Sequence, residues 1–313
     1  MTEGILAGLV LDRLLGDPRR GHPVAAFGAA ATRLEHAIYA PTHSRGVVYL
    51  SLCVGPVVLG AVVAQRILRA HPMTYGGAIA LASWATLGGT TLAREAEGLA
   101  AALEHGDLAE ARARLPRLCG REPWNLDATE LSRAGVESVA ENTSDAVTAP
   151  LLWAAVGGLP GMLGYRVINT CDAMVGHHSQ RYARFGWAAA RLDDAANWVP
   201  ARATALAAIL AAPLVGGSPR QAWRTWRQYG HRHPSPNAGQ CEAAFAGALG
   251  VRLGGANSYH QHLDERPELG TGRPPEPADI RRAVRLGRAV AALSTGMTVA
   301  GAFALHRCAR RRS

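Results

Sequence analysis

The sequence predicts an all-α fold, a polytopic membrane helical bundle with extended polar helical loops. Three observations predict it. Hydrophobic residues make up 48% of the 313 positions and charged residues 18%, but the two kinds are segregated along the chain. Five uncharged stretches approach or exceed the roughly 20 residues that a bilayer-spanning helix needs. No period-2 alternation of the kind that marks strands stands out anywhere.

The elements follow in order. Gly4–Leu15 is apolar but carries Asp12 and Arg13, so it reads as a half-span or a polar-lined helix. It lacks the basic lead of a cleavable signal. Gly46–Gln65, Pro72–Ala93, Ala146–Tyr165, Ala203–Pro219 and Ala289–His306 are uncharged, counting histidine as neutral, and are read as spans. Two of them contain helix breakers. Gly157-Gly158-Leu159-Pro160-Gly161 interrupts the third, and Pro213 with Gly216-Gly217 interrupts the fourth. Broken segments at membrane depth are tolerated where they line a protein cavity, so either can be a re-entrant hairpin.

Polar regions separate the spans. Residues 94–145 read as helix, a Gly106-Asp107 turn, helix, a loop at Gly120–Trp124, and a helix opened by an Asp127/Glu130 capping box. Residues 166–202 and 220–265 form two further polar helical loops. Residues 1–265 are thus assigned to a membrane-embedded catalytic domain. Residues 266–288 are assigned to a Pro-rich surface loop, and 289–313 to an apolar helix with a basic tail, Arg307–Arg312.

The formal charge is +9, and all 33 basic residues are arginine. That excess suits loops beside anionic lipid headgroups, or anionic substrates gripped bidentately. Nucleic-acid binding is not expected, for want of a basic helix with interleaved aromatics. The absence of lysine excludes a Walker A loop and a Schiff-base mechanism. The five cysteines (53, 119, 171, 241 and 308) show no metal spacing and read as small core residues.

Four constellations carry candidate chemistry. Glu137, Glu141 and Asp145 recur every four residues, on one drifting helix face that leads straight into an apolar run. Such stacked carboxylates are costly unless metal, arginine or ammonium neutralises them. Asn169 with Asp172, and Asp193, Asp194 with Asn197, offer oxygen ligands at one-turn spacing. Arg166, Arg181, Arg184, Arg191 and Arg202 are interspersed. Carboxylate pairs with nearby arginines suit a magnesium-bound phosphate substrate, and a plain salt-bridge network reads the same way. His231–Gln240, followed by Glu242, forms a stiff turn in which Asn237 can cap a helix whose N-terminus is an anion site in principle. Asp12 sits alone in an apolar run, and Asp17-Pro18 reads as a turn.

Four strings occur together in order: LDRLLGDPRRGHPV (11–24), ESVAENTSDAVTAPLLWAAVGGLPGMLGYRVINTCDAMVG (137–176), RYARFGWAAARLDDAANWVPAR (181–202) and HPSPNAGQCEAAFAGALGVRLGG (233–255). Jointly they resemble the CobD/CbiB family of cobalamin biosynthesis over roughly residues 5–260. The resemblance implies a multi-pass protein of the bacterial inner membrane. It implies ATP-dependent amide ligation of (R)-1-amino-2-propanol, or its O-phosphate, to adenosylcobyric acid, giving adenosylcobinamide or its phosphate. Implied partners are these small molecules, membrane lipid and other enzymes of the pathway. Carried over by position, the site residues are Asp12, Asp17, Glu137, Glu141, Asn142, Asp145, Asn169, Asp172, Arg181, Arg191, Asp193, Asp194, Asn197, His233, Ser235 and Asn237. Two departures are Glu122, where the pattern has aspartate after Gly120-Arg121, and Tyr229-Gly230, where it is more acidic.

On this reading Glu137, Glu141, Asp145, Asp193 and Asp194 are catalytic, and Glu141, Asp145, Asp193 and Asp194 are expected to hold Mg2+. Arg181, Arg191 and Arg202 clamp phosphates, and Arg121 is a further binding residue. Glu141 takes the proton of the attacking ammonium. Two other readings stay open: a magnesium-dependent membrane prenyltransferase, and a transporter with broken helices around a midplane site. Topology poses a conflict, because the acidic clusters flank Ala146–Tyr165 and a full span there would separate them. The expectation is that this segment is re-entrant or folds back.

Overall fold

A computed structural model of the chain describes residues 1–18, 21–177, 179–259 and 262–310. In chain order the helices are α1 (Thr2–Leu15), α2 (Pro23–Ile38), α3 (His43–Leu68), α4 (Pro72–Thr86), α5 (Gly89–Glu104), α6 (Leu108–Arg114), α7 (Ala128–Thr143), α8 (Ala149–Cys171), α9 (Tyr182–Phe185), α10 (Trp187–Ala211), α11 (Pro219–Tyr229), α12 (Ala238–Leu249) and α13 (Pro277–Arg310). One hairpin, β1 (Leu253–Tyr259) with β2 (His262–Leu269), breaks the pattern. No strand signal marks this stretch, because Gly254 and Gly255 open β1 without side chains to alternate; both adopt positive φ. The fold is all-α as expected. Three helical stretches are long and apolar enough to cross a membrane: His43–Leu68, Ala128–Gly176 and Trp187–Val215.

The chain divides into two compact units. The first comprises residues 1–88, 149–197 and 295–313, and the second 89–148 and 198–294.

In the first unit α1 packs on α4 through glycines four apart. A Cβ on Gly4 would strike the Gly76 carbonyl and Ile79, and one on Gly8 would strike Ser83 and the Ala80 carbonyl. Small residues at this spacing let helix backbones approach closely, as in membrane helix pairs. The charge-free run Pro72–Ala93 is not one span. α4 ends at Thr86, Leu87 is extended, and α5 restarts at Gly89, leaving a 15-residue helix. The Gly88-Gly89 pair offers little resistance to that break. α3 presents Val47, Leu52, Leu59, Val63 and Ile67 outward, and only 22% of its most apolar window is buried. Water would penalise such a surface and lipid would not.

α8 behaves as its breakers predict. Gly158 takes φ 62° and Pro160 follows. A straight helix would hold Ala149 and Tyr165 about 24 Å apart. Instead both pack in one cluster with Ala196 and Trp153. The missing Cβ of Gly161 faces the carbonyl of Trp153. The segment is therefore a helical hairpin that reverses at Gly158. Gln65 of α3 staples the reversal: its Oε1 accepts the Leu159 amide at 3.0 Å and the Tyr75 hydroxyl at 3.1 Å.

The second unit holds an aliphatic core that includes Leu99, Leu115, Leu131, Val136, Phe245, Ile280 and Leu286. α7 starts with the expected capping box: Asp127 accepts the Glu130 amide, and Glu130 accepts that of Asp127. α12 is built almost wholly of small residues and is buried along its length. α10 ends in a 3₁₀ turn closed by Gly216 at φ 75°, where the sequence placed a break.

The stretch assigned to a Pro-rich surface loop is smaller than expected. α13 begins at Pro277, ahead of Ala289, and Asp279 and Ile280 are buried. Contrary to the sequence reading, α11 is a basic helix with interleaved aromatics, Arg220, Arg224 and Arg227 among Trp223, Trp226 and Tyr229. Trp226 and Tyr229 are half-buried and pack against the core, and Trp226 Nε1 donates to Gln240 at 2.9 Å. Cys53, Cys171 and Cys241 are buried free thiols and Cys119 is half-buried. Cys308 and the cluster at 307–312 lie outside the residues whose side chains are described.

Candidate active site

The second unit gathers one set of the charged side chains that the sequence singles out. Glu137 is buried on α7. Its Oε2 accepts from Arg121 Nη2 at 2.6 Å and its Oε1 from the Gly254 amide at 2.7 Å. Arg121, in the loop before α7, is itself 4% exposed. The charge is thus paired and hydrogen-bonded, as a buried carboxylate requires. One turn on, Glu141 is exposed and Asn142 Nδ2 donates to the Ser138 carbonyl.

Asp145 departs from the regular face the sequence implies. Ser144–Thr148 is a π-helical turn, whose extra residue rotates the positions that follow. Asp145 is consequently half-buried. Asp172 opens a second π turn, Asp172–Gly176, in the first unit. Both acids therefore sit at points where the helix changes pitch, a feature that recurs at functional sites.

α12 faces α7 across this cluster. Its N-terminus is capped by Ser235, whose Oγ accepts the amides of Asn237 and Ala238 at 3.3 and 3.1 Å. Asn237, the residue expected to cap, makes no side-chain cap bond. Its Oδ1 instead accepts from Arg202 Nη1 at 3.3 Å. Arg202 also donates to the carbonyls of Trp198 and Pro236, with its guanidinium stacked on Trp198.

His233 accepts the Ser235 amide at Nδ1, 3.0 Å away. Its Nε2 lies 3.2 Å from Arg266 Nη1 and 3.8 Å from Glu242 Oε1. Glu242 is 1% exposed. Burial, followed by the charges of Glu137 and Glu141, holds its carboxyl well above the usual carboxylate range. Burial, with the nearby charges of Asp145 and Glu141, likewise pushes the Cys241 thiol up.

The first unit gathers the other expected set. Tyr165 OH donates to Asn197 Oδ1 at 2.9 Å, and Asn197 Nδ2 donates to Asp193 Oδ2 at 2.9 Å. Asn169 Nδ2 reaches Asp193 Oδ1 at 3.3 Å. Asp194 is half-buried, with the exposed Arg191 one turn before it. Arg181 is engaged elsewhere: it binds Glu35 at 2.9 Å and lies over the Tyr39 ring at 4.0 Å. Near the N-terminus, Asp12 is buried and Asp17 lies 3.7 Å from His22, which packs edge-on to Trp84.

Among the described residues, no group of three or more His, Cys, Asp or Glu side chains is disposed to hold a metal ion. Sequence reasoning gave no role to Glu242, Arg266 or the Gly254 amide. For Glu242 a signal existed, a lone acid in the otherwise small and apolar run 238–249. Arg266 and Gly254 belong to the hairpin, for which there was none.

Comparison with known proteins agrees with this arrangement of motifs. The chain is 56% identical over 290 residues to "Cobalamin biosynthesis protein CobD" of Mycobacterium tuberculosis (strain ATCC 25618 / H37Rv), covering 92% of each chain. It is 45% identical over 299 residues to the protein of that name from Geobacter metallireducens, covering 91% of this chain and 93% of the relative. The Rhodobacter capsulatus protein of the same name is 39% identical over 306 residues, 94% of each. No solved structure matches. The family described as CobD/CbiB protein matches residues 5–287, and the chain belongs to that family.

Proposed function

We propose that this chain is a multi-pass inner-membrane enzyme of cobalamin biosynthesis. In this reading it joins (R)-1-amino-2-propanol, or its O-phosphate, to a propionate of adenosylcobyric acid at the expense of ATP. The names of the relatives support the pathway. The observation that carries the chemistry is the cluster in the second unit. Four carboxyl groups, from Glu137, Glu141, Asp145 and Glu242, meet Arg121, Arg266 and His233 beside the capped N-terminus of α12. In a chain without lysine, arginine, backbone amides and a divalent cation are what remain to hold phosphates.

Joining an amine to a carboxylate is uphill, so the carboxylate needs activation. Transfer of the γ-phosphoryl group to the propionate releases ADP and makes an acyl phosphate. The amine then attacks the acyl carbon, phosphate leaves, and a nearby carboxylate takes the proton lost by the ammonium. Glu141 fits that last role, being exposed at the rim of the cluster. Magnesium characteristically binds one or two carboxylates plus substrate phosphates. Asp145 suits it better than Asp193, whose oxygens already accept amide hydrogens. When bound, the ion would neutralise phosphate charge.

The reversal of the α8 hairpin at Gly158 means that Ala146–Tyr165 is not one straight span.

The test is to incubate membranes containing the protein with adenosylcobyric acid, ATP, Mg2+ and aminopropanol phosphate, and to look for the amide by mass spectrometry. ATP-dependent product is expected, and its absence, or formation without ATP, overturns the reading. Glu141→Gln should lower turnover about a hundredfold; near-normal turnover removes Glu141 from the proton-accepting role.

A further inference from the structure

The mechanism above leaves Glu242 unused, and its surroundings call for a role. The side chain is 1% exposed on a helix whose other side chains are uncharged. Its Oε1 lies 3.8 Å from His233 Nε2, beyond hydrogen-bond reach, and its Oε2 is buried with no hydrogen-bond partner. The charged groups acting on it are Glu137 and Glu141 from α7, Arg121 from the preceding loop and Arg266 from β2, and His233 lies beside it. Arg121 is already bound to Glu137. The Ser235 amide faces His233 Nδ1 and Arg266 Nη1 faces Nε2 at 3.2 Å, so both ring nitrogens are already engaged.

An ionised Glu242 would be a buried charge repelled by its carboxylate neighbours. A neutral carboxyl avoids that and becomes a donor, with one O–H in need of an acceptor. An O–H bond to an anionic oxygen is among the stronger hydrogen bonds in a dry site. Neutrality here also spares an incoming anion one of four negative neighbours. Nothing in packing requires an acid at this position, since the adjoining α12 side chains are alanine, cysteine and phenylalanine.

We propose that Glu242 contacts the ligand, donating the O–H of its neutral carboxyl to a carboxylate or phosphate oxygen bound beside Arg266 and His233. This rests on the ligase reading for the identity of the anion, and the experiment separates the two.

The full-length protein in lipid nanodiscs is examined by infrared difference spectroscopy, as wild type and as Glu242→Gln. Adenosylcobyric acid, Mg-ATP and aminopropanol phosphate are added one at a time. A protonated-carboxyl C=O band that is lost in E242Q is expected. It should shift to lower frequency with one of the three additions, and which one assigns the anion as the propionate or a phosphate. In the amide assay, E242Q, which keeps a neutral donor, should retain kcat/KM within about threefold. Glu242→Leu should lose about ten- to a hundredfold, mainly through KM for that substrate. The proposal is overturned if the band is absent, if no addition moves it, or if E242Q falls as far as E242L. A wild type that forms no amide defeats the ligase reading instead; the band and its response to Mg-ATP or aminopropanol phosphate still decide the role of Glu242.

Discussion

Asp193 in the first unit and the acids beside α12 in the second hold their carboxyl groups by different means. In the first, Asp193 is clothed by neutral donors: both of its oxygens accept side-chain amides, and Tyr165 backs one of those amides. In the second, Glu137 is matched by a guanidinium and a backbone amide, while Glu242 has neither. An amide-clad acid can change charge with little disturbance, because its partners carry none. A paired charge cannot, because the partner is left stranded in low dielectric. The first arrangement suits a scaffold and the second suits a site whose charge balance is completed by what binds.

The sharpest way to break this comparison is to neutralise each acid without resizing it. Glu137→Gln strands Arg121 and should cost about 3–5 kcal/mol. Asp193→Asn keeps an acceptor for one amide and should cost no more than about 1.5 kcal/mol. Thermal unfolding of the two variants in the same detergent measures the difference. Equal losses would mean that the Arg121–Glu137 pair carries no special charge balance. Exposed pairs such as Arg281–Glu104 are no guide to it, because water screens them.

Much of this was legible in the sequence because one-dimensional spacing survives into a helix. The Asp127/Glu130 cap, the break at Gly158 and the close at Gly216 of the turn after α10 all fall where local chemistry predicts. So does the approach of Glu137 and Glu141, one turn apart, to Glu242, whereas the π turn carries Asp145 off that face. Less legible was anything set by contacts distant in sequence. The Glu137–Gly254 bond joins residues 117 apart and needs a hairpin that no alternation announced. Arg181 looked like a phosphate ligand because arginine is ambiguous in sequence, whereas Glu35, 146 positions away, claims it. The uncharged run Pro72–Ala93 misled because hydropathy is blind to a glycine pair that ends one helix and starts another.

The α8 hairpin offers an intermediate effect that tests the first unit alone. Gly158→Ala places a Cβ at φ 62°, where L-residues pay about 1–2 kcal/mol, and drives it into Gln65 Oε1. The variant should unfold earlier by that amount while the second unit's cluster stays intact. If Gly158→Ala were neutral, the segment would have to pass straight through, and the packing of Ala149 against Tyr165 would be wrong.

The last effect expected is a pH dependence, and it has opposite signs at two buried acids of the second unit. Burial raises the Asp279 carboxyl, but hydrogen bonds from Arg273, the Glu276 amide and Arg282 outweigh it, so the folded state holds Asp279 below its ordinary value. Its contribution to stability is present above the unfolded value of about 3.9 and is lost as pH falls below that. Glu242 is raised, so the folded state retains its proton longer than the unfolded chain does. Its contribution is present in full below the unfolded value of about 4.3 and declines as pH rises toward the folded value. Between pH 5 and 8 the unfolding temperature of E242Q should therefore gain steadily on that of wild type, whereas Asp279→Asn should run parallel to wild type throughout that window. A flat difference for E242Q would place Glu242 in its charged form and align the second unit with the paired-charge pattern at every buried acid.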